Sequence, residues 1–234
     1  MATASSVSSV PRNTYWVLRH GKSIPNEKGI IISTMENGVL PEYQLTAEGI
    51  NQAKLAGELF QVWLKEHNIP IENVRIFYSP FSRTEQTAEV VASVLNLPFE
   101  SSSQCKAMVE FRERFFGPSF EFKDHNNIGN IWDQDEKNPF LRPEEGGESA
   151  ADVASRLGNA VETMEKELQG CVVMVVSHGD PLQILQAVLH GINEYKGPAD
   201  GNFKSRVEAI KTHSTLSHHR QKFALLNGEL RQVL

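Results

Sequence analysis

The sequence predicts an α/β fold, a three-layer αβα arrangement with a mainly parallel central sheet and helices on both faces. Three observations predict it. Apolar runs of strand length alternate with longer stretches of helical periodicity, the pattern of a parallel sheet covered on both sides. Two of these runs, Tyr15-Trp16-Val17-Leu18 and Cys171-Val172-Val173-Met174-Val175-Val176, are continuously apolar, as buried strands are. Each leads into a histidine and a glycine, His20-Gly21 and His178-Gly179, and ligands bind open α/β sheets at the carboxyl ends of their strands.

Residues 1–13 read as a disordered tail, and residues 14–234 as a single domain. The first dozen residues are rich in Ser, Ala and Val and lack acids, a composition also found in organelle-targeting segments. The expected location is the cytoplasm, with an organelle as the alternative. After the first strand, Pro25, Gly29, Gly38 and Pro41 punctuate an irregular stretch. Thr46 then caps a helix that carries Ile50, Ala53, Gly57, Phe60 and Leu64 at helical spacing. Val74–Tyr78 reads as a second buried strand ending at Ser79-Pro80, followed by a helix with Ala88, Val91, Ala92 and Leu95 on one face.

Residues 101–146 break the rhythm with Phe111, Phe115, Phe116, Phe120, Phe122, Trp132 and Phe140 among turn residues. They read as an aromatic-rich insertion over the sheet's carboxyl edge, whose rings form either a satellite core or a rim for ligand. Ser149 starts a helix striped with Val153, Leu157, Ala160, Met164 and Leu168. After the 171–176 strand, Asp180 as N-cap and Pro181 in the first turn open a helix expected to stop near Gly191. The apolar runs 223–226 and 229–233 flank Asn227-Gly228, the signal of a C-terminal hairpin.

The composition excludes several classes. With 234 residues, 40% hydrophobic and 22% charged, the chain is of ordinary globular make-up. A net charge of -6 without a basic block argues against a nucleic-acid partner. No apolar run is long enough to span a bilayer. Two cysteines, Cys105 and Cys171, are not a disulfide framework and favour a reducing compartment. His213, His218 and His219 cluster near the tail without Cys or carboxylates at ligand spacing, so they read as solvated surface, and neither metal nor cofactor is expected.

Gly21-Lys22-Ser23 after a strand invites a phosphate-loop reading. That loop needs another glycine five positions earlier, where Trp16 stands inside the strand, so the reading fails. A different grouping survives. Arg83 lies near a helix start just beyond a strand end, where it and Arg19 can converge with the two histidines. Guanidinium forks match phosphate oxygens, and helix amino ends favour anions.

These segments resemble the histidine phosphatase superfamily, the phosphoglycerate-mutase-like enzymes. The matching stretches are Leu18-Arg19-His20-Gly21 with Ser23 and Asn26, Leu45-Thr46 through Gly49 with Gln52-Ala53, Ser79-Pro80 with Arg83 and Gln86-Thr87-Ala88, Phe111 through Gly117, Gly147-Glu148-Ser149, and Ser177-His178-Gly179. The resemblance implies that His20 is the nucleophile and that Arg19, Arg83 and His178 hold the phosphoryl oxygens. It further implies that Asn26 and Gly179 help bind substrate and that Glu113 is the proton donor. Glu110 is the local competitor for that last role. A phosphate monoester is close to a dianion at neutral pH, so a neutral imidazole reaches it only where cations neutralise its oxygens. The leaving alkoxide then needs a proton.

Where many relatives carry a glycine-arginine-glycine pattern, this chain has an apolar stretch at 30–35, Ile-Ile-Ile-Ser-Thr-Met. Lys22 replaces a frequent acid, and Asp180 follows the second His-Gly. Specificity is therefore expected in the 30–35 stretch and the aromatic insertion. The implied partner is a small-molecule phosphate ester, with the oligomeric state open. The leading function is a metal-independent phosphomonoesterase, with a mutase-type phosphotransferase or an inactive binding module as alternatives.

Overall fold

Parallel pairing of two continuously apolar strands organises the molecule. In the computed structural model, which describes residues 11–100, 102–143, 146–195, 203–212 and 214–234, β1 (Thr14–Arg19) and β4 (Val172–Ser177) run side by side. Their register begins at Thr14↔Val172 and closes at Arg19↔Ser177. Between the two strands in the chain come α1 (Ile24–Lys28), α2 (Met35–Gly38), α3 (Ala47–Glu66), β2 (Val74–Tyr78), α4 (Ser82–Leu95), β3 (Cys105–Ala107), α5 (Ile128–Lys137) and α6 (Ala150–Glu167). After β4 follow α7 (Gly179–Glu194), α8 (Phe203–Lys211), α9 (Ser214–Ser217), α10 (His219–Phe223) and β5 (Leu230–Gln232). The sheet order is β3-β2-β4-β1-β5, parallel except where β5 pairs antiparallel with β1.

Alternate residues of the central strands enter two cores. Tyr15, Val17, Phe77, Val173 and Val175 pack with residues of α6, α7 and α8. Trp16, Leu18, Ile76, Met174 and Val176 pack with α3 and α4. Burying such side chains contributes about 1.5–3 kcal/mol each, which explains the apolar composition of β1 and β4. The caps foreseen for two helices are present: Thr46 Oγ1 accepts from Gly49 N, and Ser149 forms a capping box with Asp152.

Several local expectations change. The N-cap of α7 is His178 rather than Asp180, because β4 passes into the helix directly after Ser177, and Asp180 falls in the first turn. That helix also continues through Gly191 to Glu194. A Cβ on Gly191 would stand 2.4 Å from Ile210 Cγ1, so the glycine there admits a neighbouring helix instead of ending its own. Ile50, read as a core position of α3, is instead partly exposed.

The C-terminal hairpin does not form. Phe223 ends α10, residues 224–226 take no regular structure, and β5 pairs with β1. The Asn227-Gly228 turn is real, with Gly228 at φ 71, but its amide donates to the carbonyls of Arg19 and His20 at 3.1 and 3.2 Å. The open edge of β1 thus captures the segment that local pattern pairs with its own neighbour.

The 101–146 insertion begins with a strand of the sheet itself, β3, and only the chain beyond it lies over the carboxyl edge. Phe111 enters a main core beside α6. Ile31, Phe116, Ile128 and Ile131 form a satellite core with Phe120 and Trp132 against it, whereas Phe122 and Phe140 are exposed. Glu121 ties the 30–37 stretch to this layer by accepting from the amides and hydroxyls of Ser33 and Thr34 and from Asn37 Nδ2, at 2.8–3.2 Å. At the amino end, Arg12 N and Asn13 Nδ2 donate to Glu165 at 2.6 and 2.8 Å, so the tail reading does not extend to these two residues. Residues 1–10 and His213 lie outside the described residues. Among the described residues, no helix is long and apolar enough to cross a membrane.

Candidate active site

The register of β1 and β4 brings the two histidines together. Each follows one member of the Arg19↔Ser177 pair, and His20 N donates to the Ser177 carbonyl at 3.0 Å. Their rings stand edge to face with centroids 5.3 Å apart. The turn after His20 presses on the start of α3. A Cβ on Gly21 would lie 2.2 Å from the Gly49 carbonyl oxygen, so no side chain fits there.

Both imidazoles are oriented by neighbours. His20 Nδ1 lies 2.7 Å from the Gly21 carbonyl, which can only accept. The ring proton is thereby on Nδ1, and Nε2 keeps its lone pair. Burial, then the charges of Arg83 and Arg19, hold the His20 pKa well below its ordinary value, so the ring is neutral near pH 7. His178 Nε2 is 2.9 Å from Ser79 Oγ, which also accepts from Phe81 N. His178 Nδ1 is buried without a hydrogen-bond partner among the described residues.

The two arginines predicted to converge do so. Arg83, in the first turn of α4, is buried; its Nε–H points at His20 Nε2 (3.3 Å), its Nη2 donates to the Ile32 carbonyl (3.1 Å), and its Nη1 is unpartnered. Its guanidinium also lies over the Phe81 ring, 4.9 Å from the centroid. Desolvation lowers the Arg83 pKa to about 10, still cationic at neutral pH. Arg19 is anchored by Nη1 on the Leu225 carbonyl (2.7 Å), with Nε buried and unpartnered. Its guanidinium lies over Gly179, the first residue of α7.

Glu113 is on the wall of the same cavity, and Glu110 is not. Glu113 Oε2 lies 3.9 Å from Arg83 Nη2 and 3.7 Å from His178 Nδ1. Burial raises its pKa to about 7 against the opposing pull of Arg83, with Asp180 adding to the rise. Its backbone is held from behind. Arg156 Nη2 donates to the Glu113 carbonyl at 3.3 Å, while Glu148 receives Arg156 and Arg112 and the amide of Phe115. Glu110 takes a backbone role, its carbonyl accepting from Arg156 Nη1.

The cavity has a volume of about 40 Å³. Arg19, His20, Arg83 and Glu113 form its charged or ionisable inner part, Ser23 and Asn26 one polar side, and Ile30 through Ile32 with Phe116 and Ile128 an apolar side. His178 is not on this wall and stands behind Glu113's carboxyl group. Asn26 Oδ1 is occupied by Ser23 N, Ser23 Oγ and Asn227 Nδ2, which leaves its NH2 as the group it offers. Of the two stretches expected to set specificity, Ile31 and Ile32 are buried side-on to the cavity.

Four contributors were given no site role by sequence reasoning: Ser79, Phe81, Asn227 and the carbonyl of Leu225. Ser79 belongs to the matched Ser79-Pro80 stretch and Phe81 stands two residues before Arg83, so that motif is the signal that points to both. Among the described residues no group of three or more His, Cys, Asp or Glu side chains has the placement to hold a metal ion. His218 Nδ1 bonds the Ser214 carbonyl, and His219, read as solvated surface, is buried against Gln183 and Asp135.

The fold agrees with comparisons to known proteins. The histidine phosphatase superfamily (branch 1) matches residues 15–212, and the chain belongs to this superfamily. It is 29% identical over 184 residues to the uncharacterised protein Rv0525 of Mycobacterium tuberculosis, covering 78% of this chain and 81% of that one. In fold it is similar to a mycobacterial glucosyl-3-phosphoglycerate phosphatase solved with VO3, with a TM-score of 0.64 at 20% identity over 94% of this chain and 90% of that one. It is likewise similar to a putative alpha-ribazole-5'-P phosphatase from Escherichia coli, with a TM-score of 0.54 at 23% identity over 81% and 82% of the two chains.

Proposed function

We propose that this protein is a phosphomonoesterase that hydrolyses a small-molecule phosphate ester through a phosphohistidine on His20, without a metal. One observation supports this above all: the lone pair of a neutral imidazole nitrogen, His20 Nε2, meets only the Arg83 Nε–H at 3.3 Å and sits beside buried, unpartnered donors, Arg19 Nε and Arg83 Nη1. Buried donors without partners are costly, and an anion bound at the cavity supplies what they lack.

In the first step His20 Nε2 forms a bond to phosphorus as the ester P–O bond breaks, and the departing oxygen takes the Glu113 proton. In the second, Glu113, now a carboxylate, removes a proton from water as that water attacks phosphohistidine and frees His20. The cationic side chains stabilise charge on the equatorial oxygens in both steps. In this reading Arg19, Arg83 and Asn26 bind the phosphoryl group from the cavity wall, while His178 reaches it past the Glu113 carboxyl group and Gly179 past the Arg19 guanidinium.

The direct test is an acid quench and a base quench during turnover of a labelled ester. Base-stable, acid-labile label is expected on the wild-type protein and absent from His20→Ala, which should lose essentially all turnover. Equal labelling of both proteins would remove His20 from the mechanism. Transfer of the label to a phosphate-accepting product instead of water would show a mutase.

A further inference from the structure

Beside Glu113 lies a buried ionic network that the reaction above does not use. Arg114, fully buried, places Nη1 and Nη2 on the two oxygens of Asp135 at 2.6 and 3.0 Å, and Nη1 also reaches Asp180 Oδ2 at 3.1 Å. Its Nε donates to the Glu148 carbonyl at 2.8 Å, and its own amide donates to Glu113 Oε1 at 2.9 Å. Asp180 Oδ1 receives the indole Nε1–H of Trp132 at 2.8 Å. His219 closes the far side with Nε2 3.4 Å from Asp135. Asp180 therefore touches the residue after the proton donor, the aromatic layer over the site, and the first turn of the helix that His178 caps.

We propose that Asp180 is a positioning residue for the proton donor, holding Arg114 and Trp132 so that Glu113 keeps its place and its proton at the mouth of the phosphoryl cavity. The inference rests on Glu113 being that donor. Two carboxylates share one guanidinium here, so the network leaves negative charge close to Glu113. The groups facing Glu113 from the packed elements are Arg19 and His20 from the end of β1, Arg83 from α4, His178 and Asp180 from the β4–α7 junction, and Arg156 from α6 behind its backbone. Arg19 and Arg83 draw the proton off; burial and Asp180 retain it.

The two ends of this link have opposite electrostatic signs. Asp180→Asn keeps an acceptor for Trp132 and removes the charge, which lowers the Glu113 pKa. Trp132→Phe keeps the charge and removes its hydrogen bond, which leaves the carboxylate less stabilised and raises the Glu113 pKa. The experiment measures kcat/KM against pH for an alkyl phosphate and for para-nitrophenyl phosphate in wild type, Glu113→Gln, Asp180→Asn and Trp132→Phe. Expected are alkaline limbs displaced downward for Asp180→Asn and upward for Trp132→Phe, by about half a pH unit each. On the alkyl ester near pH 7, Asp180→Asn should lose several-fold more activity than on the nitrophenyl ester.

Limbs that stay in place, or equal losses on both esters, would overturn the inference. If Asp180→Asn melts before it can be assayed, the Trp132→Phe limb decides alone. Should the alkaline limb survive in Glu113→Gln, the fault lies with the donor assignment instead. A limb lost in Glu113→Gln but unmoved in the other two variants would reject only the role of Asp180.

Discussion

His20 and His178 stand edge to face, 5.3 Å apart between ring centroids, and the pKa of each is lowered well below the ordinary imidazole value. Burial is the main cause for both, followed by the Arg83 charge. Two imidazoles at this distance could not both be charged beside two arginines. Neutrality suits His20 to the proposed nucleophilic role, and His178 is held through its Nε2 contact with Ser79.

The pH profile should carry this signature. Because the His20 pKa is lowered, its protonation removes activity only well below pH 6.5. Glu113, raised to about 7, must be protonated to donate, so kcat/KM should fall as pH rises through that value. A profile that falls between pH 7 and 6 with substrate ionisation accounted for would contradict a neutral His20.

Glu113→Gln should slow an alkyl phosphate far more than para-nitrophenyl phosphate, because nitrophenolate leaves without a proton. A ratio of about 10²-fold between the two losses matches the usual scale of general acid catalysis. Equal losses would assign Glu113 to cleavage of phosphohistidine or to structure, and a matching effect at Glu110 would reverse the choice between them.

Ser79→Ala removes the hydroxyl that orients the His178 ring through Nε2. Loss of one preorganised donor costs about 10²–10³-fold in kcat, and losing a group that only orients the ring costs less where packing still holds it, as here against Phe81. Turnover is expected to drop about 10-fold with little change in melting temperature. Unchanged turnover would show that the Ser79 contact with His178 does not matter.

Arg114→Met leaves Asp135 and Asp180 buried without their shared cation. Breaking such a pair costs about 3–5 kcal/mol, so the melting temperature should fall sharply. Ile31→Asp, which puts a charge among Phe116, Ile128 and Ile131, should also destabilise rather than simply alter substrate choice. A selective change in relative rates at full stability would mean that Ile31 meets substrate directly.

Chelators should leave turnover intact, and vanadate should inhibit by imitating five-coordinate phosphorus. Activity lost to EDTA and restored by zinc or magnesium would refute side-chain cations as the sole source of charge stabilisation.

Much of the site was legible because its strands are. The apolar runs before His20 and His178 fix where the chain leaves the sheet, and parallel pairing does the rest. Arg83 was reached from its place at a helix start just beyond a strand end, and Glu113 through motif resemblance, since nothing in its local spacing separates it from a surface residue. Leu225 and Asn227 were invisible for another reason: the Leu225 carbonyl meets Arg19 across 206 residues of sequence, and only the folded chain brings them together. The hairpin expectation failed likewise, because an Asn-Gly signal is local and the open edge of β1 is not. The strand β3 escaped because three residues, of which only Cys105 is buried, carry no periodicity.

The anchoring of Arg19 on Leu225, and of the His20 carbonyl and Asn26 by Asn227, has a temporal meaning. Arg19, the cation beside the proposed nucleophile, is translated 206 residues before the Leu225 carbonyl that holds it. A nascent chain therefore carries the His20 imidazole through that whole stretch of synthesis without a finished anion cradle around it. Competence is expected only when residues 224–232 seal the edge of β1, and a ribosome-bound fragment ending before them should remain silent towards phosphate esters.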